Sequence, residues 1–390
     1  MSGQLNLSKI GQAMARLGLS NTKLADMLGV KPASVTHWLQ GTNKPRPDRL
    51  LRLAFALELD FDELLTTSEP IQPEPVVAYR RSAGKVTTEI EVEQAKDIGR
   101  LLRPVANYLP NRRVKPAAFI NPVVTYRYLQ EVAAEVREQV GLGAESRVDY
   151  AHLIGKFSEL NAIIVPVMWG HREQHGNALH IFLPESNATW IFLNLDSNAT
   201  DFNFWMAHEL GHVYTPDLCG TDEGENFAEG FAGALLFPEV CAAKLYDKIK
   251  RKSDAIVVNA IKAVAKDYVI SPITVWSALN NYADAHGEAN FGHLTSIYGA
   301  AKNVAKEFKT ISQSLFEDSA EALPCAKEFV EVTEKAFVTP VFRAFSSYLK
   351  DSAHGAGWLR DALSIPLIDA KELYGYLLAT GGAENLHQGT

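Results

Sequence analysis

Residues 20–40 read SNTKLADMLGVKPASVTHWLQ, and their pattern decides the fold of the N-terminal part of the chain. Apolar residues recur at helical spacing on both sides of Gly29, namely Leu24, Ala25, Leu28, Val35, Trp38 and Leu39. Gly29 interrupts this pattern, and the turn-forming residues GTNKPRP at 41–47 interrupt it again. The stretch therefore predicts two short helices joined by a tight turn, followed by further short helices up to residue 65.

The charge of this region differs from that of the rest of the chain. Residues 1–57 contain eight Lys or Arg side chains and two acidic ones, whereas the whole chain carries a net charge of −8. A small basic module on an acidic body is expected when only one part of a protein meets a polyanion such as nucleic acid. A solvated charged surface is the alternative interpretation.

Residues 7–66 closely resemble the Cro/C1-type (XRE) helix-turn-helix family. The resemblance implies that Ser20 caps the first helix of the pair, that residues 31–40 form the recognition helix, and that a homodimer binds double-stranded DNA. The outward-facing residues expected to contact bases or phosphates are Lys31, Ala33, Ser34, Thr36, His37, Gln40, Lys44 and Arg46. Asn21 stands where the family often has Gln, and Leu39 where it often has Glu, so phosphate contacts at the first helix are expected to be weaker. Some such modules keep the fold without binding DNA.

The chain beyond this module divides by composition. Residues 66–78 are rich in proline without helical period and predict a linker, and residues 79–109 predict an amphipathic helix with Ile90, Ala95, Ile98 and Leu102 on one side. The predicted organisation has four parts: a helix-turn-helix domain at 1–68, a linker with this helix at 69–114, a central domain at 115–285 and a helical C-terminal region at 286–390. The C-terminal region is a candidate binding site for a partner, a small effector or another subunit.

The central domain changes period along its length. Helical patterns at 127–142 and 150–160 precede three short stretches rich in Ile, Val, Phe and Trp at 161–169, 177–184 and 189–195. Helices return after residue 199. The predicted fold class is mainly α with a small antiparallel sheet, that is α+β.

The sequence FWMAHELGHVYTP at 204–216 contains two histidines four residues apart, with a glutamate directly after the first. On a helix, His208 and His212 project from one face and can hold one ion between their imidazoles. Glu209 is rotated too far round the helix to be a ligand and is placed as the general base for an attacking water. This spacing predicts a zinc-dependent hydrolase site.

The third ligand distinguishes the classes of zinc peptidase. A metzincin would have Gly at 215 and His at 218, where this chain has Thr215 and Leu218. A second helical stretch, ENFAEGFAGALLFP at 225–238, instead offers Glu225 as a carboxylate ligand and Glu229 to orient a histidine through its other ring nitrogen. This is the gluzincin arrangement. The alternative for Glu225 is a surface charge, and Cys219 is a weaker ligand candidate whose alternative is a small loop residue.

The central domain resembles the ImmA/IrrE family of metallopeptidases over residues 115–285. The resemblance rests on FWMAHELGHVY, on the WIFLN strand before it and on ENFAEGFAGALLFP. It implies Zn²⁺ held by His208, His212 and Glu225, with Glu209 catalytic, and a protein substrate such as a repressor or the product of a neighbouring gene. Glu229 departs from the usual Asp or Asn, which puts its contact with the histidine in doubt.

Other residues near the motif are weaker candidates. The strand at 189–195 is a candidate edge for an extended peptide, with a core strand as the alternative. His171, His175, His180 and Tyr214 are candidates for polarising the scissile carbonyl, although a lone histidine is more often structural.

Two functions follow from these motifs. The first is a DNA-binding transcriptional regulator with a zinc endopeptidase domain. The second is a DNA-binding regulator or antitoxin-like binding protein whose zinc domain is a sensor or scaffold. Three cysteines without a CxxC pair, the absence of a long apolar run and a start without a secretory signal favour a cytoplasmic protein with no membrane span.

Overall fold

The computed structural model describes residues 4–40, 43, 45–60, 64–66, 73–78, 88–110, 118–170, 178–292, 295–317 and 324–380. The chain forms two compact units, residues 1–72 and residues 73–390. Within the described ranges, every helix is too short or too polar to traverse a lipid bilayer.

Four helices and a two-stranded ladder are described in the first unit: β1 Gln4–Leu5, α1 Leu7–Leu17, α2 Asn21–Leu28, α3 Pro32–Leu39, α4 Pro47–Leu57 and β2 Leu65–Thr66. The Ser20 hydroxyl accepts the backbone N–H of Lys23 and caps α2, as the sequence predicts. Gly29 ends α2 in the left-handed conformation (φ 62°), which glycine adopts without steric cost. The predicted apolar residues Leu24, Ala25, Leu28, Val35 and Trp38 form the core of this unit, and Leu39 is half-buried.

The second unit begins with the strand β3 Val76–Ala78 and the helix α5 Glu89–Leu102. Its other elements follow in chain order: a 3₁₀ turn Val105–Tyr108, α6 Tyr126–Gln139, α7 Tyr150–Glu159, β4 Ala162–Val167, β5 Ala178–Leu183, β6 Ala188–Asn194, α8 Ala199–Tyr214, a 3₁₀ turn Pro216–Leu218, α9 Asp222–Leu236, α10 Glu239–Ile249, α11 Asp254–Tyr268, α12 Pro272–His286, α13 Thr295–Ala305, α14 Ile311–Leu315, α15 Ala326–Phe337, α16 Val341–Asp351, α17 Ala356–Leu363 and α18 Leu367–Thr380.

The sheet of the second unit has the strand order β3-β5-β6-β4. The pairs β3·β5 and β5·β6 are antiparallel, whereas β4 and β6 run parallel. The predicted mainly helical α+β class is confirmed, but the sheet is mixed rather than wholly antiparallel. Because β6 lies between β5 and β4, the prediction that residues 189–195 form a sheet edge is wrong.

Helices cover both faces of this sheet. Alternate residues of the strands point to opposite sides, so Ala162 and Ile164 join the core formed with α6 to α12, while Ile163 and Val165 join the core formed with α5 and α16 to α18. The C-terminal region therefore supplies one of the three layers. The buried side of α5 includes Ala95 and Leu102 as predicted, but Ile90 is 71 % exposed.

Residues 73–78, which the sequence placed in a linker, are part of the second unit. Val76 to Ala78 pair with β5, and the Arg100 guanidinium of α5 contacts the Glu74 carboxylate at 2.5 Å. A Cβ on Gly99 would stand 2.7 Å from Pro75, so this glycine permits a close approach of α5 to the segment.

Candidate metal site and DNA-binding surface

The helix α8 carries the HExxH sequence through the interior of the second unit. The Asn198 side chain caps its first turn by accepting the N–H groups of Thr200 and Asp201. Apolar residues on all sides bury it, and His208, Glu209 and His212 are each at most 2 % exposed. Three polar side chains buried so close together require hydrogen-bond or ion-pair partners.

The partners of the two histidines include Glu225 on α9. The Nε2 atoms of His208 and His212 lie 3.1 Å apart. The Glu225 oxygens lie 3.5 Å from Nε2 of His208 and 3.4 Å from Nε2 of His212. The structure thus brings together the three side chains that the sequence proposed as metal ligands. These three residues form the one such His, Cys, Asp or Glu cluster found in the described part of the chain.

This donor set fits a zinc ion. Tetrahedral zinc with bonds of about 2.0–2.1 Å places neighbouring ligand atoms roughly 3.3 Å apart. The two Nε2 atoms here are 3.1 Å apart, and each has a different oxygen of Glu225 at 3.4–3.5 Å. The Oε1 atom of Glu225 is buried without a hydrogen-bond donor. A buried carboxylate oxygen without a hydrogen bond is costly, and binding a cation relieves that cost.

Two glycines allow α9 to pack closely, one against α8 and one against the 3₁₀ turn that precedes α9. A Cβ on Gly211 would stand 2.9 Å from the backbone Cα of Ala228. A Cβ on Gly224, directly before Glu225, would stand 2.1 Å from the carbonyl oxygen of Leu218. Both positions exclude larger side chains, so the packing of the two helices sets the distance between the histidines and Glu225.

Replacing Gly211 by alanine is expected to force α8 and α9 apart. Overpacking of a tight core contact costs ~1–3 kcal/mol of stability, and the separation of the helices moves Glu225 away from the histidines. The variant should have a lower free energy of unfolding, measured in urea, than the parent. It should also take up less zinc. Gly233→Ala on α9 is the matched control, since nothing lies within 4 Å of its Cβ. Equal effects of the two substitutions would contradict this account of the helix contact.

Glu229 stands one turn after Glu225 on α9. Its Oε2 atom lies 3.8 Å from Nδ1 of His208, beyond hydrogen-bond distance. Nδ1 of His208 and Nδ1 of His212 are both buried without a hydrogen-bond partner. The expected orienting contact from Glu229 is therefore close but not formed in this structure.

Glu209 contacts a side chain of the sheet. Its Oε2 atom lies 3.2 Å from Nδ1 of His180 on β5. Both residues are at most 2 % exposed, and the ring of His180 also lies 5.4 Å from that of His212. The sequence offered His180 only as one of several weak candidates, because its distance from the motif along the chain hides this contact.

Burial and nearby charges act in opposite directions on these carboxyl groups. Burial opposes ionisation of Glu225, but the two adjacent imidazoles outweigh it and hold its pKa at about 2. Burial also works against the charged form of Glu209, yet its hydrogen bond with His180 and the nearby histidines lower its pKa below the usual value. Both carboxyl groups are therefore charged at neutral pH.

The remaining candidates from the sequence lie elsewhere or are poorly suited. Tyr214 stacks on Phe119 with ring centroids 4.3 Å apart and is 5 % exposed, so it is a core residue. Cys219 is buried, but it is not one of the three side chains that form the cluster. His171 and His175 lie outside the described residues.

The first unit presents one face of α3 to solvent. Ala33, His37 and Gln40 follow at helical spacing on this face and are exposed, while Val35 and Trp38 are buried opposite them. Of the other predicted DNA contacts, Lys31 and Arg46 are exposed, Ser34 and Thr36 are half-buried, and Lys44 lies outside the described residues. The Thr36 hydroxyl also donates to the carbonyl of Pro32.

Two arginines of the basic region have structural roles. The Arg49 guanidinium donates to the carbonyl of Leu28 at the end of α2. The Arg16 guanidinium donates to the carbonyl of Leu57 at the end of α4, at 3.1 Å. Cations at helix C-termini satisfy carbonyl groups that the helix leaves unpaired. These two charges thus stabilise the helix ends of the unit. Fewer basic side chains are therefore available to contact DNA than the number of basic residues suggests.

Comparison with known protein families supports this reading of the first unit. Residues 10–64 match a family model described as helix-turn-helix. This match supports an XRE-type helix-turn-helix and, with it, a DNA-binding regulator. None of the curated proteins compared with the chain matches it.

Proposed function

We propose that this DNA-binding regulator carries a zinc-dependent endopeptidase in its second unit. The observation that carries the proposal is the convergence of His208, His212 and Glu225 beside the buried carboxylate of Glu209. A scaffold requires three or four ligands, but it has no need of a charged glutamate directly next to them. A partner protein such as a repressor is the proposed substrate.

Three of these residues would bind zinc, and the fourth, Glu209, would transfer protons. His208, His212 and Glu225 would hold zinc, which supplies Lewis acidity toward a carbonyl group and toward water. Glu209, kept ionised by its surroundings, accepts the proton of the attacking water and passes it to the leaving amine. His180 holds one oxygen of Glu209 and leaves the other for this task.

A non-catalytic sensor or scaffold is the second candidate. The observation in its favour is that Glu209 is 2 % exposed and already hydrogen-bonded to His180, as a purely structural residue would be. The two candidates differ in what the loss of the Glu209 carboxylate does, because only the peptidase uses it chemically.

The exposed face of α3 is expected to read DNA sequence, and Arg46 is expected to contact phosphate. His37→Ala should reduce discrimination at one base position by ~1–3 kcal/mol, because it removes a side chain placed for a base edge. Arg46→Ala should weaken binding to all DNA sequences alike. It should also reduce, by about one unit, the slope of the logarithm of the binding constant against the logarithm of the salt concentration. Binding of the full chain to selected and random duplexes, measured at several salt concentrations, checks both changes.

Arg360→Ala in the second unit is the charge control for this experiment, since Arg360 pairs with Asp361 on α17. It should leave DNA binding unchanged. If His37→Ala discriminates among duplexes as the parent does, α3 is not the reading surface, and if Arg46→Ala binds every duplex as tightly as the parent, Arg46 does not contact phosphate.

A further inference from the structure

We propose that the helical C-terminal region forms a binding pocket for an organic cation with an apolar body, such as an alkylammonium or arylammonium compound. A cavity of about 330 Å³ opens at the carboxyl end of β4. Its other walls are Asp196, the first turn of α15, the connection between α17 and α18, and the first turns of α18. This volume lies within the range of ordinary small-molecule sites.

The cavity is separate from the candidate metal site. None of its lining residues is His208, Glu209, His212 or Glu225. The apolar part of the wall has aromatic and aliphatic side chains, including Met168, Trp169, Phe329, Leu363 and Leu373. Such a lining is favourable for the apolar body of a ligand because binding removes it from water.

Three carboxylates supply the polar part of the wall, namely Asp196, Asp369 and Glu372. Among the described lining residues there is no lysine, arginine or histidine. Asp369 and Glu372 are exposed at the mouth of the cavity and Asp196 is half-buried, so the three charges together produce a negative potential at the opening. The described part of the wall therefore favours a cation over an anion of the same size.

The hydrogen bonds of these carboxylates fix their positions without neutralising them. Asp196 accepts the N–H of Gly170 and the hydroxyl of Ser312, each at 2.7 Å. Glu372 accepts the N–H of Ala326 at 2.8 Å. All of these donors are uncharged, so the negative charge remains available to a cationic ligand.

The aromatic lining matches the same ligand class. Trp169 is 7 % exposed, and its indole N–H donates to the carbonyl of Leu363 at 2.9 Å, which fixes the ring. Aromatic faces attract ammonium groups, with the strongest attraction at tryptophan. Aromatic rings and carboxylates in one cavity thus recognise the apolar and the charged part of an organic ammonium ion.

The pocket also adjoins the start of the metal-site helix. Asp196 lies two residues before Asn198, the residue that caps α8. A ligand that contacts Asp196 therefore binds next to the element that carries His208 and His212. This inference does not depend on the proposed peptidase activity.

Calorimetric titration of the full chain with two probes of matched size tests the proposal. The probes are 2-phenylethylammonium and 3-phenylpropionate, which differ chiefly in the sign of their charge. The ammonium probe should bind saturably below about 1 mM, at least tenfold more tightly than the carboxylate, and more weakly at high salt. Equal affinity for the two probes, or no saturation by the ammonium probe in this range, would overturn the proposal.

Two variants locate the binding. Asp369→Asn removes one charge from the wall, and Ala326→Phe fills the cavity while keeping every charge. Each substitution should lower the affinity for the ammonium probe at least tenfold. Asp361→Asn is the control, since Asp361 is a carboxylate of α17 outside the lining. Thermal unfolding shows whether each variant folds. If both variants fold and bind the ammonium probe as the parent does, the probe binds elsewhere and the proposed pocket is wrong.

Discussion

Cells that carry Glu209→Gln in place of the parent chain are expected to accumulate the partner protein that the parent cleaves. General acid–base catalysis contributes ~100- to 10,000-fold to the rate of such reactions, and glutamine keeps the size of the side chain while removing its basicity. The variant should still bind zinc and DNA, because Glu209 belongs to neither ligand set. Immunoblots of co-expressed neighbouring gene products measure the accumulation.

His208→Ala provides the comparison, because it removes a metal ligand as well as the activity. If the second unit is a peptidase, both variants stop cleavage. If it is a sensor or scaffold, Glu209→Gln regulates like the parent while His208→Ala does not. Identical behaviour of the parent and Glu209→Gln in both cleavage and regulation would exclude the enzyme proposal.

Replacing Glu225 by glutamine is expected to abolish stable zinc binding, whereas the same change at Glu229 should lower the zinc affinity by at most about 100-fold. The Glu225 oxygens lie 3.4–3.5 Å from the two imidazole nitrogens, and loss of the charge removes a ligand from a set of three. The nearest Glu229 oxygen lies 3.8 Å from the far side of His208. Residues that only orient a ligand typically contribute about 10- to 100-fold in metal affinity.

The two positions are one helical turn apart on α9, so they form a matched pair with the same change of charge. Titration with a competing chelator gives the affinity of each variant, and elemental analysis gives the zinc content, which should be close to one per parent chain. Because the hydrophobic core rather than the ion holds α8 against α9, both variants should remain folded. Zinc retained equally by both would show that Glu225 is not a ligand.

Local patterns in the sequence predict those parts that depend on local physics. The turn at Gly29, the cap at Ser20 and the buried face of α3 all follow from residues within one or two helical turns of each other. The juxtaposition of His208 and His212 follows in the same way from their four-residue spacing. Glu225 was predicted as a ligand because it pairs with Glu229, four residues later, on a second helical stretch that begins thirteen residues after His212.

The features that the sequence did not reveal depend on contacts between distant segments. Strand order is set by packing across the whole unit, so nothing local showed that β4 pairs parallel with β6 and makes the strand at 188–194 central. The hydrogen bond between His180 and Glu209 joins residues 29 positions apart. The close crossing at Gly211 likewise depends on Ala228 of a different helix.

The strand Val76–Ala78 determines where the second unit can be separated from the first. Ala78 pairs with His180, so this short strand covers the β5 edge beside the candidate site. A chain shortened to begin at residue 115 would lose both β3 and α5, leaving the N–H and C=O groups of that edge unpaired. Bare strand edges recruit strands from other molecules and promote aggregation. An isolated second unit that stays monodisperse must therefore retain the chain from Pro73 onward.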